Sequence, residues 1–273
     1  MGAGLIIPGF VRYLDMVFQP FLGICHMAWE SERNAWAGAQ ASYEVDAGLR
    51  QYMLRVYNYM ASGVALTGLI AALVAATPAL SQLFFQPGLR GGYGLTGLGW
   101  IVTLAPLGIV LAFSFGMARM RASTAQTLYW VYAALMGVSM ANLFFIYTGT
   151  SIARVFFISA ASFAGLSLYG YTTKKSLSAF GSFLIMGLIG ILIAGLVNMF
   201  LHSAAVYFVI SVAGVLIFAG LTAYDTQRIK DMYWSGDGHE IASKKAVMGA
   251  FTLYLDFINL FIMLLRLFGD RRD

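Results

Sequence analysis

Two aspartates, Asp225 and Asp256, stand in or beside long apolar stretches of the sequence, and no carboxylate lies between Asp46 and Asp225. An ionisable side chain at the centre of a membrane helix costs about 2.5 to 3.5 kcal/mol on insertion scales, so an aspartate retained there usually has a partner and a function. Two carboxyl groups within hydrogen-bond range share one proton, and such a pair can respond to pH or activate water. The search for function therefore begins at these two residues.

Each aspartate belongs to a polar stripe on an otherwise apolar segment. The stripes consist of Thr222, Asp225 and Arg228 in one segment and of Thr252, Asp256 and Asn259 in the next. Spacings of three and four residues place each set on one face of a helix, and antiparallel neighbours would turn the two faces toward each other. The alternative is that each aspartate is satisfied separately, Asp225 by Arg228 or a loop arginine and Asp256 by polar neighbours on its own helix.

Depth in the membrane limits whether the two aspartates can meet. At 1.5 Å per residue, Asp225 lies about 5 to 8 Å from the level of Arg228 and Lys230, whereas Asp256 lies about 16 Å from Lys245. The pair meets only if the last helix begins one or two turns outside the hydrocarbon. The polar residues 243–245 are consistent with such a start.

Composition identifies the class of protein that positions these residues. The chain is 60% hydrophobic and 11% charged with a mean hydropathy of +0.76, whereas soluble proteins carry about 25% charged residues. A membrane span needs about 20 mainly apolar residues, and uninterrupted runs indicate helices rather than barrel strands. Seven segments qualify: Leu54 to Ala76, Gly97 to Met117, Ala125 to Tyr147, Ser151 to Tyr171, Ser182 to Leu201, Ala204 to Asp225 and Val247 to Phe268.

The predicted fold is an all-α integral membrane protein with one seven-helix transmembrane domain over residues 47–273. Residues 1–46 are predicted to be a weakly ordered or interfacial extension, because Pro8 and Pro20 would break any long helix there. Basic residues concentrate in alternate connections, which places the amino terminus in the cytoplasm and the carboxyl terminus outside. Arg266, Arg271 and Arg272 at the far end oppose this arrangement, and a re-entrant last segment would return them to the cytoplasm.

Other chemistries find little support. The three histidines lack metal-ligand spacing, and no glycine-rich phosphate loop follows a strand. Asp231, Asp237, His239 and Glu240 could suggest a cation site, but they do not follow the Ca²⁺-loop spacing and are interpreted as part of a solvated loop. The net charge of +5 is explained by basic residues flanking the spans, so no nucleic-acid partner is expected.

Motifs around both aspartates resemble a known family. Tyr224 to Gln227 reads Tyr-Asp-Thr-Gln, and Leu253 to Phe261 reads Leu-Tyr-Leu-Asp-Phe-Ile-Asn-Leu-Phe, followed by Leu265 to Gly269. This combination resembles the Bax-inhibitor-type, or transmembrane Bax inhibitor motif, family. Arg55 to Gly63, in the first span, is similar to the bacterial branch. The resemblance covers about residues 46–269.

The resemblance implies a seven-helix fold whose last helix is enclosed by the other six. It also implies a pH-sensitive Ca²⁺ leak in the bacterial inner membrane, with Asp225 and Asp256 as the pH sensor, the gate and the carboxylates met by Ca²⁺. An arginine near the end of the second helix would latch one aspartate, and Arg119 and Arg121 both qualify. Ca²⁺ and H⁺ would be the transported or sensed ions, the bilayer the main partner, and no resident cofactor is expected.

Two other functions remain as alternatives, and an enzyme is not the favoured one. An intramembrane aspartyl protease would place Tyr-Asp in one span and Gly-x-Gly-Asp in the next; Tyr224 and Asp225 fit the first half, but Leu253 and Leu255 replace both glycines. A non-conducting regulator of a membrane protease or stress response, as among some bacterial relatives, would require a structured amino-terminal segment.

Overall fold

The computed structural model describes residues 47–87, 93–117 and 119–272. The chain divides into two compact units, residues 1–50 and 51–273, and the architecture below is that of the second. The predicted extension over residues 1–46 lies outside the described residues.

Helices dominate the described residues. They are α1 (Ala47–Ala76), α2 (Pro78–Phe84), α3 (Gly97–Gly116), α4 (Ala122–Met140), α5 (Leu143–Ile146), α6 (Gly149–Thr172), α7 (Ser178–Leu201), α8 (Ala204–Asp231) and α9 (His239–Phe268). A short antiparallel hairpin, β1 (Phe85–Pro87) and β2 (Tyr93–Leu95), precedes α3. Seven spans, with α4 and α5 counted together, are long and apolar enough to cross a membrane. The predicted all-α, seven-helix membrane fold is confirmed.

The last two helices extend beyond their apolar parts. Helix α8 continues six residues past Asp225, and α9 begins at His239, eight residues before the predicted start at Val247. Hydropathy marks only the part of a helix that sits in hydrocarbon, whereas the backbone stays helical wherever propensity and packing allow. Because α9 begins outside the hydrocarbon, Asp256 lies at the same depth in the bundle as Asp225.

Helix α9 forms the core of the bundle. Of its most apolar stretch, 72% is buried, whereas the share lies between 11% and 33% in the other six spans. Helices α4, α6 and α8 pack against it, Phe113 of α3 stacks on Phe251 at 4.4 Å, and Thr67 of α1 hydrogen-bonds Tyr254 at 2.7 Å. A membrane helix that carries a carboxyl group must turn it toward other helices rather than toward lipid, which agrees with the central position of α9.

Contacts between connections define the two ends of the bundle. At the basic end, formed by the connections after α3, α6 and α8, the Ala122 amide donates to Glu240 at 2.5 Å and the Lys230 ammonium donates to the Tyr171 carbonyl at 2.8 Å. At the tail end, formed by residues 147–148, 202–203 and 269–272, the Asp270 amide donates to Ser151 at 2.8 Å. Helix α9 therefore runs from one end to the other, and the re-entrant alternative is wrong.

The tail end also holds the discordant arginines of the sequence. Arg154 pairs with Asp270 at 3.0 Å, Arg266 lies over the Tyr207 ring at 5.1 Å, and the Arg272 amide donates to the Ile146 carbonyl at 2.9 Å. These contacts fix the tail against the α5–α6 connection. The basic residues of the tail are thus held by the fold itself at the end opposite to the other basic clusters.

The charge distribution predicts that the basic end is cytoplasmic. In a Cys25→Ser background, Ser235→Cys places a thiol in the exposed connection after α8, and Arg272→Cys places one at the tail end. We expect a membrane-impermeant maleimide to label position 272, but not position 235, in intact cells, and to label both after permeabilisation. Labelling of position 235 from outside would contradict the orientation.

Helices α6 and α8 approach each other closely at a glycine. A Cβ atom built on Gly170 would lie 2.2 Å from the carbonyl oxygen of Ala223, two residues before Asp225. Only a residue without a side chain permits this backbone contact. Gly165, on the same helix, has open space at the equivalent point.

Substitution at these two glycines therefore separates packing from helix propensity. We expect Gly170→Ala to lower the unfolding free energy by about 1 to 3 kcal/mol, because the methyl group overpacks the α6–α8 contact. Gly165→Ala should be neutral or stabilising by up to about 1 kcal/mol. Thermal unfolding of the purified protein in one detergent measures both, and equal shifts for the two variants would contradict the close contact.

Candidate functional site

The two predicted aspartates come together at the α8–α9 interface, nearer to the basic end. Asp225 is 8% exposed and Asp256 is 5% exposed, and their carboxyl groups are within hydrogen-bonding reach of each other. The extended starts and ends of the helices make this possible, because they bring the two residues to one depth. We call Asp225 and Asp256 the aspartate pair.

The chemistry of two neighbouring buried carboxyl groups favours a shared proton. An ionised carboxyl group only accepts hydrogen bonds, so two of them bond to each other only when one carries a proton. The buried Oδ2 atom of Asp256 has no hydrogen-bond partner within the described part of the chain. A second negative charge at this site would be buried without compensation, which is costly in a membrane protein.

The guanidinium that interacts with the aspartate pair belongs to Arg228. It lies three residues after Asp225 on the same helical face and is close enough for a favourable charge interaction with that carboxyl group. Arg228 is itself exposed at the basic end. Arg119 and Arg121 are exposed beside the α3–α4 connection, and over residues 47–87, 93–117 and 119–272 neither forms an ion pair with an aspartate of the pair. Their role as a latch stays a prediction.

The remaining polar stripe residues bond to their own helices. The Thr222 hydroxyl donates to the Phe218 carbonyl at 2.8 Å, the Thr252 hydroxyl to the Met248 carbonyl at 3.1 Å, and the Asn259 amide to the Leu255 carbonyl at 2.8 Å. These bonds satisfy the polar groups without help from the aspartates. The separate satisfaction of Asp256 by Thr252 and Asn259 is therefore not what the structure has.

Residues next to Asp225 join α8 to other helices. The Gln227 side chain accepts from the Leu177 amide at 2.8 Å and donates to the Lys175 carbonyl at 2.9 Å, which ties α8 to the α6–α7 connection. The Thr226 hydroxyl is 2.9 Å from that of Ser167, which is 2.7 Å from the hydroxyl of Tyr57 on α1. The motif at residues 224–227 thus anchors the helix that carries Asp225.

Sequence reasoning missed most of these anchoring partners. Ser167 and Tyr57 are single polar residues in apolar helices, and their spacing carries no signal. Gln227 belongs to the quoted motif, and its position one turn before the helix end could have suggested a contact with a neighbouring connection. Partner choice across helices depends on the rotation of each helix, which sequence spacing leaves open.

Two of the loop carboxylates form contacts that the sequence did not predict. Asp237 pairs with Lys245 at 2.5 Å, and its side chain is 8% exposed. Glu240 accepts from the first amide of α4, where the positive end of the helix dipole favours an anion. The solvated-loop interpretation is therefore wrong for Asp237, whereas Glu240 is exposed as expected but also hydrogen-bonds the start of α4.

A cation at the aspartate pair would find two carboxyl groups. Over the part of the chain that the structure describes, no third Asp, Glu, His or Cys joins them into a metal-ligand cluster. Ca²⁺ takes six to eight oxygen ligands, including waters and carbonyl groups, so a pair of carboxylates supplies only part of its shell. The aspartate pair by itself therefore does not complete a Ca²⁺ site.

Comparison with known proteins agrees with the motifs. The family described as "Inhibitor of apoptosis-promoting Bax1" matches residues 49–273. The chain is 51% identical over 228 residues to the uncharacterized protein RP147 of Rickettsia prowazekii, covering 84% of this chain and 93% of that one. It is 43% identical over 228 residues to the inner membrane protein YbhL of Escherichia coli, covering 83% and 94%. The chain is therefore a multi-pass membrane protein that belongs to the Bax inhibitor family.

Proposed function

We propose that this protein is a pH-sensitive Ca²⁺ leak channel of the bacterial inner membrane, gated by the aspartate pair. The observation that carries the proposal is the hydrogen-bonding contact between Asp225 and Asp256, two buried carboxyl groups on adjacent helices. The location is supported by the name of the relative YbhL, an inner membrane protein.

Proton number changes the force between α8 and α9. With one proton, the carboxyl groups form a hydrogen bond that joins the helices. With none, two like charges at about 4 Å repel by about 4 kcal/mol at an effective dielectric constant of 20. With two, the negative charge that attracts Arg228 and a cation is gone. A difference of a few kcal/mol between states is enough to shift a two-state helix arrangement almost completely.

Calcium is the expected cargo because carboxylate oxygens are the ligands that it prefers. Conduction also requires that the ion leave as readily as it enters. Two carboxyl groups without a full ligand shell meet both requirements, since they attract a divalent cation but do not retain it.

An aspartyl protease is less well supported. Leu253 and Tyr254, which precede Asp256, are both fully buried, and the Tyr254 hydroxyl bonds Thr67. A substrate backbone would need to approach Asp256 at the positions where these large side chains pack. A non-conducting regulator of a membrane protease remains the alternative function, and it requires no flux at all.

Flux through vesicles that contain only this protein tests the leak. We expect Ca²⁺ flux that exceeds K⁺ and H⁺ flux and varies with pH between about 5 and 8, the range in which a coupled carboxyl pair can titrate. Asp225→Asn and Asp256→Asn should each flatten the pH response, because neither leaves a titrating pair. The double variant should do no more than the stronger single variant, since the two residues act as a unit.

The matched control is Asp231→Asn, which removes the same charge from an exposed site six residues along α8. It should keep the wild-type pH response. Wild-type vesicles without cation flux at any pH in this range would contradict the leak and favour the regulator.

Arginine substitutions identify the latch. If the Arg228 charge stabilises the closed arrangement by about 1.4 kcal/mol, Arg228→Gln should raise Ca²⁺ flux at neutral pH about tenfold, and Arg228→Lys should retain most of the closure. Arg119→Gln and Arg121→Gln provide the comparison under the same assay. A larger rise for either of them than for Arg228→Gln would return the latch to the α3–α4 connection.

A further inference from the structure

A polar groove lies between α1 and α4, away from the aspartate pair and toward the basic end. Its volume is about 410 Å³, within the range of about 300 to 1,000 Å³ typical of ligand pockets. It is lined by Gln51, Leu54, Arg55, Asn58, Tyr59 and Ser62 of α1 and by Trp130 of α4, so Leu54 is the one aliphatic side chain among the lining residues that the structure describes. The α1 residues recur every three or four positions, so they form one face of the helix.

This polar face lies on the part of α1 that extends beyond the hydrocarbon core. Thirty helical residues span about 45 Å, whereas the hydrocarbon core is about 30 Å thick. Farther along α1, the exposed residues are apolar, as Leu69 at 67% and Leu73 at 53% exposure show. The polar groove therefore lies at the level of lipid headgroups.

Among the residues that the structure describes, none provides a counter-ion for the half-buried guanidinium of Arg55. The sequence has no carboxylate between Asp46 and Asp225, and within residues 51–87, 93–117 and 119–272 the guanidinium has neither an ion pair nor a hydrogen bond. A guanidinium presents five donors in a fixed plane that matches a phosphate group. The N–H donors of Arg55 can therefore bind an anion.

Packing between α1 and α4 fixes the shape of the groove. The Tyr129 hydroxyl donates to the Tyr59 carbonyl at 2.7 Å, and the Tyr129 ring fills the space beside Gly63. The Trp130 and Tyr59 rings lie 6.3 Å apart and form its aromatic wall. Tryptophan and tyrosine are enriched at the membrane interface, where their rings contact lipid glycerol and the first acyl carbons. The groove is therefore formed before any ligand arrives.

A second basic residue lies at the same level. Helices α1 and α4 run parallel, and the Thr67 hydroxyl donates to the Ala133 carbonyl across a separation of 66 residues. By the same offset of 66 residues, Arg55 corresponds in depth to Arg121, at the start of α4. Positive charge from both helices is thus concentrated at one depth of the bundle.

We propose that this α1–α4 groove binds the headgroup of an anionic phospholipid. Arg55 holds the phosphate, Gln51 and Asn58 donate to headgroup oxygens, and Trp130 packs on the glycerol. Basic pockets between membrane helices favour anionic lipids, and arginine binds phosphate through two parallel hydrogen bonds. The site is separate from the aspartate pair and does not depend on the proposed leak.

Lipid titration of the full-length protein in detergent, followed by native mass spectrometry, tests the site. We expect phosphatidylglycerol to bind more tightly than phosphatidylcholine with the same acyl chains. Arg55→Gln should weaken phosphatidylglycerol binding about tenfold or more, because charged hydrogen bonds are lost, and should leave phosphatidylcholine binding unchanged. Arg55→Lys should retain part of the preference, since it keeps the charge but loses the planar fork.

Lys174→Gln is the matched control, because it removes one exposed positive charge at the same end without lining the groove. It should bind as the wild type does. Equal affinity for the two lipids, or an unchanged Arg55→Gln variant, would overturn the proposal. Competition by soluble glycerol phosphate at concentrations equal to the lipid would reassign the site to a free phosphate and overturn the lipid assignment.

Asn58→Ala keeps the proposal testable if Arg55→Gln does not fold. The Asn58 side chain is exposed, so its loss leaves the helix contacts intact. One neutral hydrogen bond is worth about 1 kcal/mol, which predicts a roughly fivefold loss of phosphatidylglycerol affinity. Unchanged affinity in this variant together with unchanged lipid preference would overturn the site.

Discussion

Two buried carboxyl groups within reach of each other repel strongly when both are charged, and the packing of the last two helices depends on this constraint. Asp225 and Asp256 satisfy each other, so α8 and α9 must meet at one depth. That requirement places the start of α9 outside the hydrocarbon and keeps its apolar length in the centre of the bundle. The central position of α9 and the contact between Asp225 and Asp256 therefore have the same cause.

The same requirement shapes the rest of the interior. Each buried polar group needs a partner, because the bilayer offers no water to replace it. Some hydroxyls, such as that of Thr222, bond the carbonyl one turn earlier on their own helix. Others, such as those of Thr67 and Ser167, bond across helices and hold α1 against α4, α6 and α9. The second group fixes the rotation of the outer helices around α9.

Charged side chains hold the chain in place at both ends of the bundle. At the basic end, Asp237 and Glu240 fasten the α8–α9 connection to Lys245 and to the start of α4. At the tail end, Asp270 pairs with Arg154, and the backbone of residues 270–272 joins the α5–α6 connection. Both ends of the central helix are thus held in place by contacts with the rest of the bundle.

The sequence by itself determined the membrane class, the seven spans and the two aspartates, because hydrophobic length and isolated charges are local properties. The family motifs added the enclosed last helix. Tertiary structure alone decided that Asp225 and Asp256 come within reach of each other, that Asp237 and Glu240 are bonded, and that the tail crosses to the far end. Those outcomes depend on helix rotation and on loop contacts between residues far apart in the chain, and no local pattern encodes them.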